Sequence, residues 1–542
     1  MMELECLAYS VGHADDGICL LARMGPHRIL LDCGLKDISS LTSNESQSMP
    51  ADFAICTHAH SDHARGFLAL HRAFPQLPVY ASSATAKLLP LNWPDLPVTE
   101  VPRFCEAVPW NSTVELAKGL TLQIYPAGHL PGAACISIAY ATPNRTYKLF
   151  YTGDVFLSNC RLVEGMPLGE LRGLKPDILI VESSYGTARY PHRRQLENQL
   201  AERVYREIIS GRSVMLPTPI LGLGQELLML LRSHHYFTGR DLDIWVDGGI
   251  AKGCDLYLEL LSEFPASVQN FARHQPLFWD DRVRPRVRRL SAGEGFGTKP
   301  CIAIVDREKL ESYVSDRQTD WVLFLPEKPG TRPTALNFNE SNFNSIQTYL
   351  LTNHCDGSGT TQLIHNLRPQ HIIFMHGNPT YIADLTNLEE LRNRYQLHSP
   401  AKGSLVELPI GETFFQPPIS ESSYEGELAD YNTEIAISLP KEIAADPRWS
   451  NFSDTGIVEA RWQGEELVLR GISQREILSQ GSDRLLPADL ECCGNCLYYR
   501  GQRCWNQVSA LFGFKVTPEG YCPAFEGIRF PQDLELDEDE SD

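Results

Sequence analysis

The densest chemistry in the chain lies at residues 58–63, where His58-Ala59-His60-Ser61-Asp62-His63 sets three imidazoles and a carboxylate side by side. Two histidines two positions apart on an extended loop can aim their rings at one cation, and Asp62 and His63 just beyond can reach a second. Imidazole and carboxylate suit a borderline ion such as zinc, and positions left open to water make a site catalytic rather than structural. Four more residues of ligand type stand at the ends of apolar runs: Asp32 in ILLDCG, His129 in PAGHLPGAA, Asp154 in YTGD and His376 in IIFMHG. Singly, each is as well explained as a turn Asp or a satisfied His. Together they carry more weight, because a parallel-rich sheet brings strand ends to one edge, where sites in α/β proteins form.

The runs that must position these residues read as strands. ICLLAR, HRILLDCG and ADFAICTH are short and apolar, and each ends in Gly, His or a polar cluster. LALHRAF has helical spacing, and PVYAS, LTLQIYP, ACISIAYA, YKLFYTGD and DILIVES continue a strand-loop-helix alternation. Sheet layers covered by helices follow, an α/β class. From about residue 187 the helices lengthen (QLENQLAERVYREIIS, GQELLMLLRS) between strands SVMLPT, DIWVDG and CIAIVD. Near 350 the earlier style returns with GTTQLIHNL, HIIFMHG and a strand pair around GSLVELPIGETFFQ. The middle block therefore reads as an insertion within the first domain.

The expected organisation is a first domain in two parts, 1–186 and 351–416, around an inserted α/β domain at 187–350. A linker at 417–434, a small β-containing module at 435–490, a cysteine module at 491–528 and an acidic tail at 529–542 follow. A chain of 542 residues, 43% hydrophobic and 21% charged, has the length and composition for several cores. The formal net charge of −20 is unevenly spread: residues 1–416 carry 38 Lys+Arg against 44 Asp+Glu, and residues 417–542 carry 10 against 24. The acidity thus belongs mainly to the C-terminal part and does not exclude a nucleic-acid partner for the rest. No apolar stretch is long enough for a membrane span, and the start, MMELECLAYS, lacks a basic region followed by an apolar block. A cytoplasmic location is expected, with no membrane partner.

HAHSDH, with Asp32 before it and His129, Asp154 and His376 after it, resembles the ligand set of the metallo-β-lactamase superfamily. VESSYG at 181–186, the long insertion, TNHCDGSG at 352–359 and FMHG at 374–377 are similar to the β-CASP branch, which includes the pre-mRNA 3′-end-cleavage endonuclease and bacterial ribonuclease J. The resemblance covers about residues 3–415, and it implies an αββα sandwich with an inserted β-CASP domain. It implies further that His58, His60 and His129 hold one zinc, that Asp62, His63 and His376 hold another, and that Asp154 bridges them. Asp32 would support the loop from behind the ligands, and Glu182 and His354 would form a proton-handling pair beside the metals. Because the branch acts on nucleic acids and its DNA-processing members are expected to lack His at the position of His376, the resemblance favours RNA.

The chemistry of the residues agrees with that implication. Two zinc ions roughly 3.5–4 Å apart can activate a hydroxide and stabilise both the attacking and the leaving oxygen of a phosphodiester. Asp62 would orient the nucleophile or accept its proton, and His354 with Glu182 would protonate the departing 3′ oxygen. The expected function is a zinc-dependent ribonuclease in RNA processing or decay. A two-zinc hydrolase of a small ester or thioester and a non-catalytic RNA-processing scaffold are the alternatives.

Three stretches depart from the branch. PTPILGLGQEL at 217–227 has Leu223 where Arg would stand, FMHGNP has Asn378 where an acid is usual, and CIAIVDREKLESYV at 301–314 replaces a Ser-Gly-Met stretch. DRVRPRVRRL at 281–290 offers a substitute for lost substrate contacts: in an extended chain Arg282, Arg284, Arg286 and Arg288 would share one face and meet successive phosphates. An edge strand guarded by charge fits the same residues.

Of fifteen cysteines, five (Cys492, Cys493, Cys496, Cys504 and Cys522) crowd into the last tenth of the chain. Cys493, Cys496, Cys504 and Cys522 supply four thiolates among Gly, Pro and aromatic residues, and a closed metal site would provide the folding energy that so small a piece lacks. Zinc is the first expectation there and an iron-sulfur cluster the second. The C-terminal modules would serve structure or a protein partner.

Overall fold

The computed structural model of the chain describes residues 4–13, 16–42, 49–291, 295–297, 300–313, 318–327, 343–410, 427–430, 435–438, 458–463, 466–471, 493, 496–500, 503–506, 508, 509 and 516. It divides into two compact units, 1–416 and 417–542.

In the first unit the chain begins with β1 (Leu4–Val11), β2 (Ile18–Met24), β3 (His27–Leu31), β4 (Phe53–Ile55), β5 (Val79–Ser82) and β6 (Cys105–Val108). Next come β7 (Val114–Ala117), β8 (Leu120–Pro126), β9 (Ala134–Ala141), β10 (Thr146–Tyr151) and β11 (Ile178–Glu182). Six more strands follow: β12 (Ser213–Thr218), β13 (Asp243–Val246), β14 (Arg286–Arg289), β15 (Ile302–Asp306), β16 (Gln318–Pro326) and β17 (Phe343–Tyr349). The chain then returns through β18 (His371–Met375), β19 (Gln396–His398) and β20 (Leu405–Glu407).

Two seven-stranded sheets result, in the orders β20-β1-β2-β3-β4-β5-β6 and β19-β18-β11-β10-β9-β8-β7. Alternation explains their stacking. On β1 the burial alternates, and Leu4, Cys6 and Ala8 turn inward to meet Leu120, Leu122, Ile136, Ile138, Ile178 and Ile180 from the other sheet in one apolar core. Each such Leu or Ile contributes roughly 1.5–3 kcal/mol on burial. β11 and β18 are fully buried, as expected of strands covered on both faces.

β11 and β18 are parallel neighbours, with Ile178 opposite His371 and Glu182 opposite Met375, although 188 residues of sequence lie between the end of β11 and the start of β18. That span contains a third sheet of six strands, β14-β13-β15-β12-β16-β17, in which every pairing is parallel. Two long helices flank β12: α1 (Arg193–Ile209) before it and α2 (Leu223–Ser233) after it. A third, α3 (Gly357–Leu367), starts after Asp356, whose side chain accepts a hydrogen bond from Gly359 N as an N-cap.

In the second unit three antiparallel pairs are described: Glu427–Asp430 with Ile435–Ser438, Val458–Gln463 with Glu466–Gly471, and Tyr499–Arg500 with Arg503–Cys504. Residues 427–430, inside the span expected to be a linker, are therefore strand. Among the described residues no helix is long and apolar enough to cross a membrane.

β18 is fastened at its start by a histidine pair, His371 buried and His398 partly buried. His371 donates from Nε2 to Pro409 O (3.0 Å), so its Nδ1 must accept from His398 Nε2 (2.9 Å), and the pair is neutral. Burial and the facing ring of His371 push His398 down to about 4, and burial lowers His371 as well. A depressed folded-state pKa gives stability that is full above the ordinary histidine value of about 6.5 and is lost as pH falls towards 4. Urea midpoints are expected to decline across that window, and the decline to flatten in His398→Gln; identical pH profiles for the two proteins would contradict this.

Candidate metal centre

Five of the ligand-type residues sit at or just past the ends of strands in the two stacked sheets. Asp32 follows β3, His58 follows β4, Asp154 follows β10, Glu182 closes β11 and His376 follows β18. β3 and β4 are parallel, as are β10, β11 and β18, so these ends line up along one edge of the sandwich. His129 joins them from the loop between β8 and β9.

The 58–63 segment changes conformation midway, and this separates its ligands. His60 is extended (φ −67°, ψ 147°), and a single helical turn begins at Ser61 and carries Asp62 and His63. The turn packs closely on Gly34, where an added Cβ would lie 1.6 Å from Asp62 O. Only glycine fits there.

The histidines converge with their lone pairs facing. His58 Nε2 lies 3.2 Å and His129 Nε2 3.0 Å from His60 Nδ1. The remote ring nitrogens have carbonyls to bond: His60 Nε2 donates to Leu221 O (3.3 Å) and His129 Nδ1 to Asn353 O (2.9 Å). A neutral imidazole that donates from one nitrogen can only accept at the other. Acceptors 3.0 Å apart do not satisfy each other, whereas a cation among them and Asp154 would.

Asp154, 2% exposed, divides its oxygens between two groups. Oδ2 is 3.4 Å from both His58 Nε2 and His129 Nε2, while Oδ1 is 3.2 Å from His63 Nε2 and 3.4 Å from His376 Nδ1. His63 Nε2 and Asp154 Oδ1 are buried without a hydrogen-bond partner, as atoms that await a metal would be. Three groups with the spacing of metal ligands follow: His58, His60, His129 and Asp154; Asp62, His63 and His376; and Asp154, Glu182, His354 and His376. The donor set of imidazoles and carboxylates fits divalent ions of the zinc type.

Asp32 holds this cluster from behind. Its Oδ1 accepts from Thr57 N (2.7 Å) and its Oδ2 from Thr57 Oγ1 (2.8 Å), His63 Nδ1 (2.8 Å) and Tyr151 Oη (2.7 Å). Such partners fix ring orientation in metal sites. Asp32 and His376 both have left-handed backbones, with φ of 58° and 55°. That strain, roughly 1–3 kcal/mol each, persists only where the surroundings overdetermine it.

His354 Nδ1 donates to Glu182 Oε2 (2.9 Å) and lies 3.9 Å from Asp154 Oδ2. Glu182 also accepts from Val155 N (2.6 Å) and from Ser184 Oγ. Burial works against protonating His354, but the carboxylates of Glu182 and Asp154 outweigh it and raise its pKa. Against the same burial, Asp154, Asp62 and Glu182 push His376 up to about 10. His60 has the opposite balance and falls to about 3, through burial and the neighbouring His58.

Three residues that the sequence reading passes over belong to this network: Thr57, Tyr151 and Ser184. Ser184 Oγ lies 2.8 Å from His376 Nδ1 and donates to Glu182, linking His376 to the Glu182–His354 pair. Its place within VESSYG was the available signal. Thr57 and Tyr151 lie beside ligands but belong to types that give no hint of metal chemistry.

The arginine face requires correction. Arg282 and Arg284 precede β14, in a turn and before the Arg284-Pro285 peptide, so only Arg286 and Arg288 alternate along a strand. Each arginine also meets an aspartate: Arg282 with Asp280, Arg284 and Arg286 with Asp241, Arg286 and Arg288 with Asp243, and Arg289 with Asp255. β14 is the edge of its sheet, and the aspartates balance its charge. In the second unit Cys493, Cys496 and Cys504 are buried, and Cys496 N donates to Cys493 O (3.0 Å); Cys492 and Cys522 lie outside the described residues.

Comparison with known proteins agrees with this architecture. Residues 27–216 match the β-lactamase superfamily domain. The chain is 46% identical over 542 residues to a Synechocystis protein described as uncharacterized, covering 97% of each. It is 27% identical over 439 residues to Endoribonuclease YSH1 of Mycosarcoma maydis (70% of this chain, 47% of that one). It is also 25% identical over 305 residues to an RNase J-like protein of Methanocaldococcus jannaschii (53% and 67%). The chain thus spans about half the length of the fungal endoribonuclease. It belongs to one family with the Synechocystis protein and carries a β-lactamase superfamily domain, and its likeness to the endoribonuclease and the RNase J-like protein supports a place in the β-CASP branch.

Protein purified without chelator is expected to carry about two divalent ions in this centre. Asp62→Ala combined with His63→Ala is expected to remove one of them and leave the fold intact. Because His376 must shed its proton to become a ligand, metal uptake near neutral pH should release protons, and retention should weaken in acid. Elemental analysis, with calorimetry in buffers of different ionisation enthalpy, measures both; folded protein without metal, or uptake without proton release, would contradict the assignment.

Proposed function

We propose that the chain is a zinc-dependent ribonuclease that hydrolyses RNA phosphodiester bonds. One observation carries the reading: Asp154 turns its two oxygens to two separate histidine groups, and the His354–Glu182 pair stands directly beside it. The relatives named as an endoribonuclease and as RNase J-like support a polymeric RNA substrate over a small ester or thioester.

Bound zinc ions would supply a water of lowered pKa and neutralise charge on the phosphate. The protein's own residues do the rest. His58, His60 and His129 would hold one ion, Asp62, His63 and His376 the other, and Asp154 would lie between them. Asp62, with 38% of its side chain exposed, is open to solvent and can orient the attacking water or take its proton. His354 commits Nδ1 to Glu182, which leaves Nε2 as its free end, and its ring is 19% exposed. The two carboxylates raise its pKa and so favour its protonated form, which can deliver a proton to the departing 3′ oxygen. Residues 187–350 would act as a separate inserted domain closing over the RNA. At the C-terminus we propose that Cys493, Cys496, Cys504 and Cys522 bind a further zinc, with an iron-sulfur cluster as the alternative. The setting would be cytoplasmic RNA processing or decay.

If His354 is the acid, His354→Ala should slow RNA cleavage by about 10²–10⁴ while metal content survives. The defect should shrink on an aryl phosphodiester whose phenolate leaves without a proton. Equal losses on both substrates would refute the acid role. Cleavage of DNA but not RNA of the same sequence would overturn the substrate. Turnover of a small ester alone, or of nothing, would favour the hydrolase and scaffold readings respectively.

A further inference from the structure

The PTPILGLGQEL stretch does more than carry β12 into α2. Its Leu221 carbonyl is the acceptor for His60 Nε2, so a residue from the third sheet's first crossover determines which nitrogen of His60 faces the metal position. Gly222 makes this possible with φ 87° and ψ −92°, and a Cβ at that position would come within 3.4 Å of His60 Nε2 and 3.9 Å of Asn353 Nδ2.

One turn further along α2, Glu226 is 6% exposed and accepts three hydrogen bonds: from Arg161 N (2.9 Å), Leu162 N (2.9 Å) and Arg193 Nη2 (3.2 Å). Arg193 in turn donates from Nη1 to Thr352 O (2.5 Å). The next residue is Asn353, whose carbonyl accepts from His129 Nδ1 (2.9 Å) and whose amide donates to His129 O (2.9 Å). Thr352 Oγ1 accepts from His354 N (3.0 Å). Arg193 also pairs through Nε with Glu197 (3.3 Å), which is buried to the same degree, so Glu226 and Arg193 sit in a three-membered ionic cluster that reaches two ligand histidines, through the loop that bears Leu221 and the loop that bears Asn353.

We propose that Glu226 and Arg193 are positioning residues for the metal held by His58, His60, His129 and Asp154, and that the seating of residues 219–226 and the affinity of that metal form one linked equilibrium. A buried pair of this kind is strongly disrupted when one partner loses its charge, and partners that orient ligand histidines are worth about 10–100-fold in metal affinity. Linkage makes the effect reciprocal: whatever the seated loop adds to metal affinity, the metal adds to the loop's stability. The inference rests on the metal reading above, and its test does not use RNA.

The test is zinc binding to the full chain by competition with a chromophoric chelator, together with amide exchange over residues 219–226 with and without zinc. In the unaltered protein zinc should slow exchange there. In Glu226→Gln one zinc should bind about 10–100-fold more weakly while the other is unchanged, and the zinc-induced protection should shrink. Should Glu226→Gln fail to fold, Arg193→Lys, which keeps the charge but loses the forked geometry, decides the matter. A purely structural role would lower the melting temperature of zinc-free and zinc-loaded protein alike and leave affinity unchanged, which would overturn the proposal; so would undiminished protection in the folded variants. If the unaltered protein binds no zinc, the proposed function falls and this inference falls with it.

Discussion

One buried carboxylate constrains everything around it. Asp154 has almost no solvent, and an uncompensated charge in such a place costs several kcal/mol. Four histidines face it, His58 and His129 at one oxygen and His63 and His376 at the other, and the positive charge that balances it has to sit among them. These histidines come from different strands of both sheets, so the two layers can stack only in a register that brings their ends together. The apolar core supplies the stacking energy, while the edge with the ligands restricts which stacking is allowed.

Holding that edge requires conformations the backbone resists. Asp32 and His376 stand at left-handed φ just where their strands end. In each case the neighbouring hydrogen bonds leave little alternative: Asp32 N donates to Ile55 O while its carboxylate accepts four bonds, and His376 N donates to Val11 O across the two sheets. The His376 carbonyl accepts from Ser183 N, which ties the end of β18 to the segment after Glu182. Strain and ligand geometry therefore coincide, as expected where rigid elements must point functional groups into one small volume.

How much of this was legible in the sequence follows from which groups the chemistry uses. Side-chain ligands announce themselves by type and place, so His58, His60, Asp62, His63, His129, Asp154 and His376 could be selected before any fold was known, and the structure brings them together. Strands with uninterrupted apolar runs, such as ILIVE and HIIFM, were equally plain. β1, β6, β7, β16, β17 and β19 are not among the strands the pattern picked out; CEAV, VELA and QLH are short and partly exposed, and FNSIQTY is polar enough to pass for loop. The alternation expected of the arginine stretch is met only in part, for a different reason. Periodicity shows which side chains share a face of an extended chain, but not where the extended segment starts or which acids face it, and here Asp241 and Asp243 come from the neighbouring β13 and its approach.

Backbone acceptors were the least legible component, and they also explain how the span after residue 187 can diverge while the centre keeps its shape. Leu221 and Asn353 orient ligand histidines through their carbonyls, which every residue type possesses. Such a contact demands a conformation rather than a side chain, and Gly222 meets that demand. Leu223, where the branch has Arg, packs against the apolar cluster and takes no part in the hydrogen bonds of the histidines. The side chain at 223 therefore has no part in the two carbonyl contacts of His60 and His129. What must be preserved is the glycine, the buried Glu226 and the arginine it grips, since together they fix where the two carbonyls stand.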